Sequence, residues 1–165
     1  MSSVNSGERL THVDDRGAAR MVDISRKEPS VREAVASGVF RTTEEVVRLL
    51  RAEQLSKGDA LATARIAGIM GAKRTSDLVP LCHPISLSGV IVDLHTSGSE
   101  VRITATVRTT DRTGVEMEAL TAVVVAGLAL HDMVKAVDPA AVLDMVRVER
   151  KEGGKTGLWT RQEDR

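Results

Sequence analysis

A long apolar run, Ala119 to Leu130, is bracketed by Glu116 and Glu118 on one side and by Asp132 and Lys135 on the other. No charge interrupts it, and a helix that is apolar on every side must be buried in protein or cross a membrane. At helical rise the run extends about 18 Å, short of the roughly 30 Å of a bilayer core, so a buried central helix is expected. Thr113 with Glu116 reads as a capping box, and the Ala and Leu content favours helix, so the pattern predicts one helix from Val115 to Val137. Ala119, Ala122, Ala126, Gly127 and Ala129 would let another element approach the backbone closely, and a sheet or intersubunit contact is expected there.

The rest of the chain supplies enough material for one core around that helix. Its 165 residues are 42% hydrophobic and no linker-like stretch divides them, so residues 10–157 are read as a single domain between flexible tails, 1–9 and 158–165. Twenty-three acids balance twenty-three bases, which argues against a dedicated nucleic-acid or anionic-membrane binder while leaving room for a local cationic pocket. Cys82 is the only cysteine, and no His-x-x-x-His or Cys-x-x-Cys pair occurs, so neither a disulfide framework nor a dedicated metal site is expected. No apolar signal segment opens the chain, which makes the cytoplasm the expected compartment. With Phe40 and Trp159 as the only aromatics, any flat heterocycle must be held mainly by polar groups.

In chain order, Leu10 to Ile24 reads as extended with a turn near Asp14 to Gly17, and His12 is its one residue of chemical interest, a solvated side chain being the plainer reading. Pro29 and Ser30 open an expected short helix through Ala36 that Gly38 stops. Thr42 or Thr43 caps an amphipathic helix through Leu50, and Ala60 to Lys73 is a second apolar, small-residue helix. Leu78 to Pro84 is an apolar loop fixed by two prolines. Ser88 to Thr96 and Ser99 to Thr109 alternate about a Ser97-Gly98 turn as an antiparallel hairpin, and Val142 to Arg150 reads as a third strand beside it. The sum is an α+β fold with an antiparallel sheet backed by helices and extra N-terminal helices, a ferredoxin-like plait being its simplest named form.

Chemistry concentrates in a few positions. Asp132 and Lys135 share a helix face, where a carboxylate can hold a lysine for proton transfer, although a surface ion pair is the commoner outcome. Lys57 stands at a helix entrance where an anion is favoured. His83 is stranded among apolar residues and is either an acid/base group or a satisfied core histidine. Cys82 has no basic neighbour to activate it, so it reads as a lining residue. Glu116 is explained by capping, whereas Glu118 is not. Gly154-Lys155-Thr156 is no Walker A loop, because Glu149 occupies the position that needs glycine, but Lys151 and Lys155 can still clamp phosphate oxygens.

The motifs Lys57-Gly58-Asp59, Ala64 to Gly68, Ala72 to Thr75, Asp77 to Pro84, Thr113 to Thr121, Asp132 to Val137 and Gly153 to Gly157 together resemble the cyclic pyranopterin monophosphate synthases, the C protein family of molybdenum cofactor biosynthesis. The resemblance runs from about Leu10 to Gly157. It implies a ferredoxin-like subunit, a homohexamer built as a trimer of dimers with sites at the dimer interface, and a lyase reaction on a cyclised guanosine triphosphate that releases pyrophosphate. It implies catalytic roles for Asp132 and Lys135, pocket lysines at Lys57 and Lys151, and substrate contacts at Leu81, Cys82, His83, Met117 and Glu118. Ser76 and His131 depart from the family's usual aromatics and bear on local packing. No redox cofactor is called for, and no carboxylate cage marks a Mg²⁺ site, so Mg²⁺ arriving with a triphosphate stays open.

Overall fold

Small and β-branched residues place one strand at the centre of the sheet. The computed structural model describes residues 10–55 and 57–162, and β1 (Ser30–Arg41) is its middle strand. The expected helix at 29–36 is therefore corrected. Ala34 and Ala36 favour helix locally, but here they are small because a helix packs over them, and both edges of β1 are hydrogen-bonded, to β3 (Glu100–Asp111) and to β4 (Val142–Glu152). Gly38 stops nothing. It makes room, since a Cβ there would lie 2.7 Å from Val123 Cγ1.

Helices α1 (Glu44–Arg51) and α2 (Ala60–Ala72) follow as expected, capped by the side chains of Thr43 and Asp59, which accept from Val46 N and Ala62 N. A short α3 (Thr75–Leu78) leads to β2 (Leu87–Ser97), which pairs with β3 in the expected facing, Val90 opposite Val107 and Val92 opposite Ala105. Ser97 pairs with Glu100, so the turn is Gly98-Ser99, one residue later than read, with Gly98 taking φ +54°. β4 pairs with β1 rather than with the hairpin. Trp159–Thr160 then forms β5 on β4's outer edge, which replaces the expected tail over those residues, while 1–9 and 163–165 lie outside the described residues.

The sheet order β2-β3-β1-β4-β5 makes the α+β assignment a ferredoxin-like plait: β3 fills the gap between β1 and β2, and β1 fills the gap between β3 and β4. The central helix, α4 (Glu116–Val134), is shorter at both ends than the expected Val115 to Val137. Val115 occupies its cap position without a side-chain hydrogen bond, so the Thr113 capping box is not formed. Length and apolarity alone would let α4 cross a membrane, but it packs on the sheet and on α2, with Ala119, Ala122, Val123, Ala126 and Leu130 fully buried. Its small residues serve that packing: a Cβ on Gly127 would meet Leu143 Cδ2 at 2.6 Å, and one on Gly68 of α2 would meet the Ala122 carbonyl at 2.9 Å.

This contact yields a stability test. Gly38→Ala should cost about 1–3 kcal/mol in urea denaturation, because Val123 is β-branched and cannot rotate away, whereas Gly89→Ala, with open space around it, should change stability by less than about 0.5 kcal/mol. Equal effects at the two sites would contradict the close-packing account.

Candidate active site

The C-terminal end of α4 carries the first polar cluster. Asp132 sits in the last turn, and Lys135, the C-cap, folds back so that its Nζ lies 2.8 Å from Asp132 Oδ1. Lys57, in the loop before α2, donates to Asp132 Oδ2 at 2.9 Å and to the Asp132 carbonyl at 3.1 Å. Lys57 is thus turned to α4. The two ammonium groups, Lys135 foremost, hold the Asp132 carboxyl down to about 2, so it stays ionised at any physiological pH. All three side chains are about half exposed and reachable by a ligand.

The N-terminal end of α4 borders a cleft of about 260 Å³ that gathers Leu81, Cys82 and His83 with Glu116, Met117 and Glu118. Glu118 is 3% exposed, and its Oε2 has no hydrogen-bond partner among the described residues. Burial first, with Glu116 adding to it, raises its carboxyl from 4.5 to about 7. Near neutrality it can therefore present either a proton or a lone pair. His83 Nε2 lies 2.7 Å from the Val22 carbonyl, and because a carbonyl only accepts, the proton of that bond sits on Nε2. In the neutral ring Nδ1 is then left as the acceptor. Burial, reinforced by Glu118, raises the Cys82 thiol, which keeps it a protonated lining group rather than a nucleophile.

Lys151 of β4 pairs with Glu116 at 3.1 Å, which is the use Glu116 finds in place of capping. Gly114 leaves the space that the Glu116 carboxylate fills. A second hollow of about 460 Å³ adjoins, lined by Glu116, Val148, Lys151, Thr156, Leu158 and Trp159. Lys155 lines neither hollow and makes no ion pair among the described residues. Gly153 and Gly154, at φ +96° and +73°, carry this loop against the Val31 carbonyl and the Arg32 side chain, where a Cβ would collide. Among the described residues no group of three His, Cys, Asp or Glu side chains could hold a metal ion.

One protomer thus joins the expected site residues into two groups, Lys57–Asp132–Lys135 and the cleft with Lys151, at opposite ends of a continuous α4. Sequence reasoning missed Ile85, Thr113 and Gly114 in the cleft and Trp159 beside Lys151. Trp159 carried a signal, being one of only two aromatics. The buried carboxyl gives a pH test. Folded chain holds the Glu118 proton up to about 7 and unfolded chain releases it near 4.5, so stability is greatest on the acid side and falls as pH rises through that window. Glu118→Gln should remove that decline, on the order of 3 kcal/mol at most, in urea melts compared at about pH 5 and pH 7.5. An unchanged slope would mean that Glu118 is ionised throughout.

Known proteins share this arrangement's sequence. The MoaC family profile matches residues 21–154. A cyclic pyranopterin monophosphate synthase of Streptomyces coelicolor is 67% identical over 154 residues, covering 93% of this chain and 91% of its own. A cyclic pyranopterin monophosphate synthase 2 of Mycobacterium tuberculosis is 62% identical over 161 residues, covering 98% and 96%. The Thermomicrobium roseum cyclic pyranopterin monophosphate synthase is 50% identical over 157 residues, covering 94% and 95%. With a family match over most of its length and such identities across nearly whole chains, this chain belongs to the MoaC family.

Proposed function

We propose that this chain converts 3′,8-cyclo-7,8-dihydroguanosine 5′-triphosphate into cyclic pyranopterin monophosphate with release of pyrophosphate, a step of molybdenum cofactor biosynthesis. The observation that carries this reading is the identity, 67% over 93% of the chain, to a protein of that name. The reaction needs proton transfers on the ring system and attack of a sugar hydroxyl on the α-phosphate, with pyrophosphate as the leaving group. Lys135, aligned by Asp132, is the acid/base group, and Lys57 stands beside it to offset phosphate charge. His83 and Glu118 orient the guanine-derived rings with Leu81, Cys82 and Met117 around them, while Lys151 and Lys155 add charge on the glycine-rich loop. No redox cofactor enters, and any Mg²⁺ travels with the triphosphate as part of the substrate.

The complete site is assigned to two copies of the chain, within a homohexamer built as a trimer of dimers in the cytoplasm. Glu118 and Asp132 are about 21 Å apart along α4, more than one small reacting centre spans. Supporting the assembly, Ile66 and Met70 of α2 and Leu128 of α4 are 59%, 53% and 63% exposed in one protomer, an apolar surface that a second copy would cover. A phosphate-loop reading is disfavoured because β5, not a helix, follows Lys155. A silent assembly protein would account for the apolar surface but leaves the buried, unpartnered Glu118 carboxyl without a purpose.

Incubation with the cyclised guanosine triphosphate should release pyrophosphate, and Lys135→Ala should lower turnover at least about a hundredfold with folding and assembly intact. Near-normal turnover by the folded variant would remove Lys135 from the chemistry. Unfolding and refolding Glu118→Ala together with Lys135→Ala should restore part of the activity, since some interfaces then receive both intact ends. Verified mixed oligomers without activity would overturn the shared site.

A further inference from the structure

The N-terminal segment brings one more polar side chain to the cleft. Val13 and Ala19 pair across a turn in which Asp14 accepts from Arg16 N and Ala18 N, each within 2.9 Å, and Gly17 takes φ +81°. Arg20 N donates to the His12 carbonyl at 2.9 Å, so the backbone of His12 is part of this hairpin. The hairpin's outgoing strand is fastened to the cleft wall by the 2.7 Å bond between His83 Nε2 and the Val22 carbonyl. His12 consequently lines the same cleft as His83 and Glu118. Its imidazole is exposed and has no hydrogen-bond or ion-pair partner among the described residues, although every bond that holds the hairpin comes from other groups.

Two independent observations point to a ligand here. Glu118 lines the cleft, 3% exposed with an unpartnered Oε2, a cost that a hydrogen-bonding partner would offset. The cleft volume of about 260 Å³ suits a fused heterocycle rather than a triphosphate, and its polar side chains are carboxyls, imidazoles, the Thr113 hydroxyl and the Cys82 thiol, with no ammonium among its lining residues, the Glu116-paired Lys151 lining the adjoining hollow. We propose that His12 is a substrate-contacting residue that hydrogen-bonds the guanine-derived ring system in the cleft it shares with the α4 carboxyls. This rests on the reaction proposed above. A chain with only two aromatics lacks stacking surfaces, so an added imidazole donor and acceptor is where ring specificity can come from.

The test uses the full chain in two experiments. In steady-state pyrophosphate release, His12→Ala should raise KM about three- to tenfold, the worth of one neutral hydrogen bond, with kcat within about threefold. His12→Gln, which keeps a donor at similar reach, should recover KM to within about twofold, and His95→Ala, an exposed histidine of β2, should match the unsubstituted protein. KM unchanged in His12→Ala, or Gln no better than Ala, overturns the contact. The second experiment needs no turnover: on Lys135→Ala protein, carbethoxylation of His12 read by mass spectrometry should slow at least about threefold with the cyclised guanosine triphosphate present, while His95 stays unprotected. Equal modification with and without the nucleotide overturns the proposal. Protection of His12 in the Lys135→Ala protein, together with no pyrophosphate release by the unsubstituted protein, would sink the proposed reaction and leave the His12 contact standing.

Discussion

The close approach of α4 to β1, β4 and α2 is the constraint on which the rest of the molecule depends. It needs absent side chains, Gly38 beneath Val123, Gly127 beneath Leu143 and Gly68 beneath Ala122, because a Cβ at any of them would overlap its neighbour. A helix held this tightly along its length runs unbroken from Glu116 to Val134, and so its two ends are a fixed distance apart. Asp132 and Lys135 sit at one end, with Lys57 bonded to Asp132, and Glu116 and Glu118 at the other, with Lys151 paired to Glu116. Packing chosen for the core therefore sets the geometry of the chemistry.

That dependence also explains which parts of the fold were legible. Strands β2 and β3 alternate cleanly because one face meets the core and the other is open, and α1 shows its cap and its apolar stripe. β1 shows neither signal. Buried on its helix face at Ala34, Ala36 and Phe40, and also at Ser37 and Val39, it loses the period of two, and its alanines favour helix until both edges of the strand are paired. Without β1 as a strand, β4 has no long neighbour except the hairpin. One misread strand thus displaced a second pairing, because strand order is a long-range property that no local window contains.

The site residues were legible as residue types and less so as neighbours. Asp132 and Lys135 could be joined from helical spacing alone. Lys57 could not, since its link to Asp132 joins the α2 entrance to the end of α4 across the fold. Glu116 offered a complete local explanation, the capping box, which the structure replaces with a contact to Lys151 on β4. Glu118 lacked such an explanation, and its burial with an unpartnered oxygen is the kind of unpaid polar group that functional sites retain.

The two ends of α4 are complementary in their electrostatics. The helix dipole places partial negative charge at the C-terminus, which favours Lys57 and Lys135 there, and with Asp132 between them the three groups leave one net positive charge. At the N-terminus the dipole favours anions, yet burial raises the Glu118 carboxyl to about 7, so a substantial share of it stays neutral near pH 7 because burial costs a carboxylate more than the dipole returns. Water weakens the cationic end in a single chain: the lysines are 47% and 56% exposed, and charges in that setting attract a phosphate only modestly and lose force with salt. Covering them with a second copy would strengthen the pull of the same charges on a phosphate. The exposed apolar residues of α2 and α4 supply a driving force for such a cover, so assembly and anion binding would draw on one event, the exclusion of water from the end of α4.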